Sequence, residues 1–429
     1  MTQDTTKGTP EKTIYSVDFD RLQRDIEELS QIGRSEDGGL YRMAFTDADM
    51  EARQWLIKRL EEAGFEARMD EAANVLGRSP GTSDEVRTVL TGSHIDTVPN
   101  AGSLDGALGV LVSLECMRRV REEGLDLKYP LELVAFSDEE GRFGGLFGSS
   151  ALCGELTPER IESAQDLDGV PLTQVMQRHG LEPLAALRAR RNPASLRCYL
   201  ELHIEQGPVL DAEGLTAGVV EEIVGLFKWS VRLIGRPDHA GTTPMDMRRD
   251  AFNGLAEFAH EIKRVLEENG SDDSVATVGK VDLSPGTANT VPGSVEFSLD
   301  VRDPDEEVLE DLGAAFRRVL SALGRRRNLM FEFDVLSQIQ PMDCNRKIVE
   351  VISRTADEMG IASRQMPSGA AHDAQIMAKM APVGMIFVPS KDGRSHSPAE
   401  WTHWEDIESG ANLMLNSLIC IAGGEAEDE

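Results

Sequence analysis

The five cysteines of this 429-residue chain, Cys116, Cys153, Cys198, Cys344 and Cys420, are scattered, odd in number and never form a CxxC pair. That argues against a disulfide framework and against a thiolate zinc site. No apolar run approaches the roughly 18 residues needed to cross a bilayer. Residues 1–12 are polar and lack the apolar centre of a secretory leader, so Asn269-Gly270-Ser271 reads as an exposed turn and not as a glycosylated sequon. The expected compartment is the cytoplasm. Positive charge is also scarce: 44 Lys and Arg face 75 Asp and Glu, for a formal net charge of −31. Such a field repels nucleic acid and anionic membranes, and neither is an expected partner.

What the chain does contain is a globular composition, 40% hydrophobic and 28% charged. Its length suggests two or three domains. Residues 1–15 and 423–429 read as disordered ends. After a helical stretch across 18–64, short apolar runs appear, each followed by a polar cluster. Run 88–91 leads into Gly92-Ser93-His94, run 131–136 into Ser137-Asp138-Glu139-Glu140-Gly141, and run 198–202 into His203-Ile204-Glu205-Gln206-Gly207. Run 384–388 leads into a loop ending at Ser395-His396. Helical stretches lie between the runs, which predicts an α/β fold with a mostly parallel sheet and ligands beyond the carboxyl ends of its strands. From 214 to 332 the rhythm changes to strand 228–234, helix 249–268, strands 274–281 and 293–301, helix 306–323 and strand 329–335. That segment reads as an α+β domain inserted into a catalytic domain formed by 1–213 and 333–429, with linkers near 212–214 and 337–341.

With only eight histidines in the chain, their placement is informative. His94, His203 and His396 each follow a strand run and have acids beside them. In His94-Ile95-Asp96 the alternation of an extended backbone puts Asp96 behind His94, where its carboxylate would accept the second ring N–H. Asp105 lies in a Gly-containing turn from which a short acid can reach into a site. Glu139 and Glu140 are adjacent, so they point to opposite sides, which suits one as a metal ligand and the other as a general base. Imidazoles and carboxylates without thiolates suit zinc, or manganese, cobalt or nickel. Two such ions sharing a carboxylate would acidify a water, and a nearby glutamate would move its proton. Taken singly, each feature reads as a loop histidine or a solvated acid; their joint placement at several strand ends is what points to a site.

The stretches Gly92-Ser93-His94-Ile95-Asp96-Thr97-Val98-Pro99, Leu104-Asp105-Gly106, Asp138-Glu139-Glu140-Gly141, Leu202-His203-Ile204-Glu205-Gln206-Gly207-Pro208, His239-Ala240-Gly241-Thr242-Thr243-Pro244-Met245 and Ser395-His396-Ser397-Pro398 occur in this order. Over residues 16–422 the chain resembles the amidase/hydantoinase/carbamoylase branch of the zinc aminoacylase and carboxypeptidase superfamily. That branch holds N-carbamoyl-L-amino acid hydrolases, allantoate amidohydrolases and beta-ureidopropionases. The resemblance implies an aminopeptidase-like sheet domain whose inserted lid forms a homodimer contact. It also implies two divalent ions per subunit: His94 and His203 on one, Glu140 and His396 on the other, and Asp105 bridging them.

By the same resemblance Glu139 is the general base and Asp96 supports His94. His239 steadies the developing oxyanion, Asn289 and Arg302 hold the substrate carboxylate, Gln206 contacts the ureido or amide group, and His372 lines the pocket. The implied reaction is hydrolysis of a linear C–N bond in an N-carbamoyl amino acid or related ureido acid. Hydrolysis of N-acyl amino acids or dipeptides by the same centre is the alternative, and a silent ligand-binding member a third reading that the retained Glu139 disfavours. Two stretches depart from the pattern: the segment after Gly141 is shorter, and Ala371 stands before His372 where glycine is common.

Overall fold

The computed structural model describes residues 13–83 and 86–426; of the two ends expected to be disordered, residues 1–12 and 427–429 lie outside it. The described parts of those ends are tied down. The Tyr15 amide donates to Asn416 Oδ1 at 2.9 Å, and Asn416 returns a bond to the Tyr15 carbonyl at 2.8 Å. Ala426 accepts a bond from Arg197.

The chain forms two compact units. The first comprises residues 1–221, 344–366 and 372–429; the second comprises 222–343 and 367–371. In the first unit, α1 (Phe19–Leu29) and α2 (Asp47–Glu62) begin at Asp18 and Thr46, whose side chains accept from the first-turn amides. The strands β1 (Glu66–Met69), β2 (Val75–Arg78), β3 (Thr88–His94), β4 (Leu131–Phe136), β5 (Leu196–Ile204) and β6 (Ala217–Ile223) join strand Val383–Val388 in one sheet. Its order is β1-β2-β4-β3-β5-(Val383–Val388)-β6. The four strands β4, β3, β5 and Val383–Val388 are mutually parallel. Every residue in them is buried, the pattern of a sheet covered on both faces. The outer pairings are antiparallel. Helix α3 (Ala107–Glu122) has every residue from Ala107 to Arg118 buried, and follows directly on the turn that holds Asp105.

The second unit is a five-stranded antiparallel sheet with helices Ala251–Asn269 and Glu306–Arg327. Strand Ser294–Asp303 alternates buried and half-buried residues without a break, and its inward face packs Phe297 onto Phe258 at 5.2 Å between ring centres. Phe258 in turn meets Phe316 at 5.7 Å. The single strand expected at 274–281 is instead two, Val275–Thr277 and Val281–Ser284, both paired with Ser294–Asp303. Four residue steps from Thr277 to Val281 oppose three from Asp300 to Phe297, so one extra residue bulges out. The expected borders at 214 and 332 fall elsewhere in the structure. Residue 214 precedes β6, which pairs with Val383–Val388 in the first sheet, and 332 falls inside strand Met330–Ile339. The expected linkers, too, are helix Val209–Glu213 and the end of that strand.

Candidate metal centre

The four parallel strands deliver their polar clusters to one edge of the first unit's sheet. His94 is the last residue of β3, and its Nε2 lies 3.5 Å from Asp105 Oδ1 and 3.5 Å from Glu139 Oε2. His203, at the end of β5, puts Nε2 3.3 Å from the same Asp105 oxygen. The other Asp105 oxygen, Oδ2, faces His396 Nε2 at 3.4 Å, and His396 Nε2 is 3.3 Å from Glu140 Oε2. Asp105 therefore divides its two oxygens between two donor groups: His94 with His203, and Glu140 with His396.

The ring nitrogens that face away from the centre are hydrogen-bonded to main-chain oxygens. His203 Nδ1 is 2.8 Å from the Ile204 carbonyl, and His94 Nδ1 is 3.0 Å from the Asp96 carbonyl. A carbonyl can only accept, so each Nδ1 carries a proton, and each Nε2 is the ring nitrogen turned toward the centre. The Asp96 carboxylate, expected to serve His94, is farther off at 4.0 Å. Strand β3 ends at His94, so the two-residue alternation does not continue to Asp96. Its carboxylate accepts instead from the amides of Glu139 at 3.4 Å and Glu140 at 3.2 Å, fixing the backbone from which both side chains reach the centre. Glu139 and Glu140 do diverge, the first toward His94 and the second toward His396.

The electrostatics are those of too much negative charge in too little water. Burial drives the Glu139 carboxyl well above its usual range; His94 opposes the rise, and Glu140, Asp373 and Asp96 add to it. Burial and then the Asp105 charge push Glu140 up to about 8. Burial would raise Asp105 as well, but the surrounding imidazoles overcome it and hold that carboxyl well below the carboxylate norm.

Divalent cations fit this donor set. Ligand atoms about 2.1 Å from a tetrahedral ion lie about 3.4 Å from one another, and the separations above run from 3.3 to 3.5 Å. Buried Glu140 Oε1 has no hydrogen-bond partner. Gly106, at φ +62°, leaves the space the imidazole needs, because a Cβ there would stand 2.3 Å from His94 Nε2. A third donor group, Glu201, His203 and His372, is of a different kind. Glu201 is already used by Ser93 Oγ at 2.6 Å, Tyr199 OH at 3.1 Å and the Ala374 amide at 3.2 Å, and so braces the strands behind His203.

The structure locates the remaining expected residues as follows. Gln206, at φ +59°, donates from Nε2 to Asp105 Oδ2 at 2.7 Å and leaves its buried Oε1 unpartnered. The buried His372 ring meets the His203 ring edge-on at 4.6 Å between centres. His239, Asn289 and Arg302 belong to the second unit. There the exposed His239 pairs in a short ladder with Thr290, and the Asn289 carbonyl accepts from the Ala240 amide at 2.9 Å. Arg302 is held by Asp300 at 2.9 Å and by the Gly369 carbonyl at 2.8 Å. Sequence reasoning missed Glu400 and Arg53, which support the centre from behind. Glu400 carries no local signal, whereas Arg53 was visible as a charge at helical spacing with Leu56 and Leu60.

The histidine and carboxylate groups at the carboxyl edge of this parallel sheet form a donor set that could hold divalent cations. The chain belongs to Peptidase family M20/M25/M40, whose sequence profile matches residues 90–419. It is 38% identical to an N-carbamoyl-L-amino acid amidohydrolase of Geobacillus stearothermophilus over 95% of this chain and 100% of the relative. It is 35% identical to the allantoate amidohydrolase of Escherichia coli K12, over 94% and 97% of the two chains. The crystal structure of an amidase of the hydantoinase/carbamoylase family from Burkholderia multivorans superposes with a TM-score of 0.86 at 34% identity, covering 96% of this chain and 99% of that one.

Proposed function

We propose that this hydrolase cleaves a linear ureido or amide C–N bond in a small carboxylate-bearing substrate of the N-carbamoyl amino acid class, using two divalent cations. The observation carrying this reading is the division of the Asp105 oxygens between two imidazole-bearing groups. The relatives' amidohydrolase activities support the bond type. His94 and His203 would hold one cation, Glu140 and His396 the other, and Asp105 both; zinc, manganese, cobalt and nickel all suit these donors. Bound there, the cations would polarise the scissile carbonyl and make an attacking water acidic. Glu139 would take the water proton and return it to the leaving nitrogen as the C–N bond breaks. Gln206, with a free buried carbonyl beside Asp105, would accept from the substrate amide, and His372 would line the pocket.

In the second unit, Arg302 and Asn289 would meet the substrate carboxylate and His239 the developing oxyanion. A homodimer through that unit is supported by its edge strand Met330–Ile339, where Met330, Val335 and Leu336 are exposed. Five cysteines without a disulfide support a reducing, cytoplasmic setting. Among the described residues no helix is long and apolar enough to cross a membrane.

The test is to offer metal-loaded protein N-carbamoyl amino acids, allantoate, ureidopropionate and N-acyl amino acids, and to score ammonia. Hydrolysis of a ureido acid releases carbamate, which breaks down to ammonia and bicarbonate, whereas an N-acyl amino acid yields only a carboxylate and the amino acid. Ammonia from at least one ureido acid is expected; turnover confined to N-acyl amino acids or dipeptides would overturn the assignment.

A further inference from the structure

The two halves of the centre are built to different standards. His94 and His203 sit on adjacent buried strands, and each is fixed by a hydrogen bond from its far nitrogen. His396 lies on an irregular loop at φ +53°, with its side chain 48% exposed. Its partner Asp105 belongs to a turn nearly three hundred residues earlier in the chain. Something must set the distance between that turn and that loop.

We propose that Glu400 is the positioning residue that does so, and that it thereby sets the affinity for the cation held by Glu140 and His396; the inference rests on the two-cation reading above. Glu400 is 6% exposed, and its Oε1 accepts from the amides of Leu104 at 2.8 Å and Asp105 at 3.1 Å. Its Oε2 lies 3.3 Å from Ser395 Oγ, which is 2.7 Å from Asp105 Oδ2. The Glu400 amide donates to the Ser397 carbonyl at 3.0 Å, closing the turn that follows His396. One carboxylate thus clamps the backbone of the bridging acid on one side and the residue before His396 on the other. Glu400 is not itself a ligand, because its oxygens point at amides and a hydroxyl. The space it fills is reserved: a Cβ on Gly102 would stand 2.4 Å from Glu400 Cβ and from Oε1. Buried charge-assisted bonds to two amides are strong enough to hold a loop, and loss of a residue supporting a ligand typically costs metal affinity about 10–100-fold.

The experiment is a Co2+ titration of the metal-free full-length protein, followed by calorimetry and by the visible absorption of the bound ion. Wild type is expected to take up two ions. In E400A the first event should keep its affinity and the second should weaken about 10–100-fold, with an altered Co2+ spectrum. E400Q should stay close to wild type, since its amide oxygen still accepts from Leu104 and Asp105 while its NH2 group donates to Ser395. If E400A does not fold, G102A serves, because it displaces the carboxylate without deleting it; the second event alone should weaken. Two wild-type events in E400A, or in G102A where that is the variant used, would overturn the role of Glu400. So would parallel weakening of both events, or equal losses in E400A and E400Q. A wild-type protein that binds fewer than two ions would instead overturn the two-cation reading.

Discussion

Gly106 is where backbone and ligand compete for the same space. Its φ of +62° and its approach to the His94 ring leave no room for a Cβ, so Gly106→Ala should push the imidazole off Asp105. The expected result is a loss of metal affinity of about 10–100-fold, measured as metal content after equilibrium dialysis. Glu139 faces the centre without being needed to hold it. Glu139→Gln keeps the shape and loses the proton carrier, so kcat should fall about 10²–10⁴-fold while metal content stays at the wild-type level. At this scale, the sequence revealed the residues that follow strand ends. His94, Glu139, Glu140, His203 and His396 follow runs whose burial the apolar pattern already announced, and Asp105 stood out by its place in a Gly-containing turn. Glu400 was illegible because it is one of 75 acids, and only the fold brings its carboxylate back to Asp105. The role of Asp96 was misread in detail because an extended backbone was assumed to continue to Asp96, two residues past the end of β3.

Among elements, α2 does more than cover the sheet. Arg53 is fully buried within it, paired with Asp49 at 3.0 Å, and donates to the carbonyls of Ala73 at 2.9 Å and Phe136 at 3.1 Å. Phe136 ends β4, so this arginine fixes the point from which Glu139 and Glu140 depart; it also lies 3.8 Å from Asp96. Arg53→Met would remove the cation paired with buried Asp49 and close to Asp96, and should cost about 3–5 kcal/mol of stability, read from the midpoint and slope of denaturant unfolding. The four parallel strands were readable because strands buried on both faces are continuous apolar runs. The outer strands β1 and β2 were not: each has four residues, and β1 alternates exposed with half-buried positions, too short a pattern to separate from a loop. The bulge between Thr277 and Val281 was hidden for a related reason, since one extra residue changes pairing without changing composition.

For the molecule as a whole, a net charge of −31 makes it notable that further carboxylates gather where water is excluded. Asp96, Asp105, Glu139, Glu140, Glu201 and Glu400 converge on the carboxyl edge of one sheet, and all but the half-buried Glu139 and Glu140 are buried. Protons or imidazolium can offset part of this charge, and the two divalent cations of the proposed function would offset it at the positions where the donors converge. The measurement that tests this most directly is anomalous diffraction at the zinc edge from crystals of the zinc-loaded protein. Two peaks about 3.5–4 Å apart are expected, one beside His94 and His203, the other beside Glu140 and His396, with Asp105 between them. A single peak at Asp105, or peaks ligated by other side chains, would contradict the account.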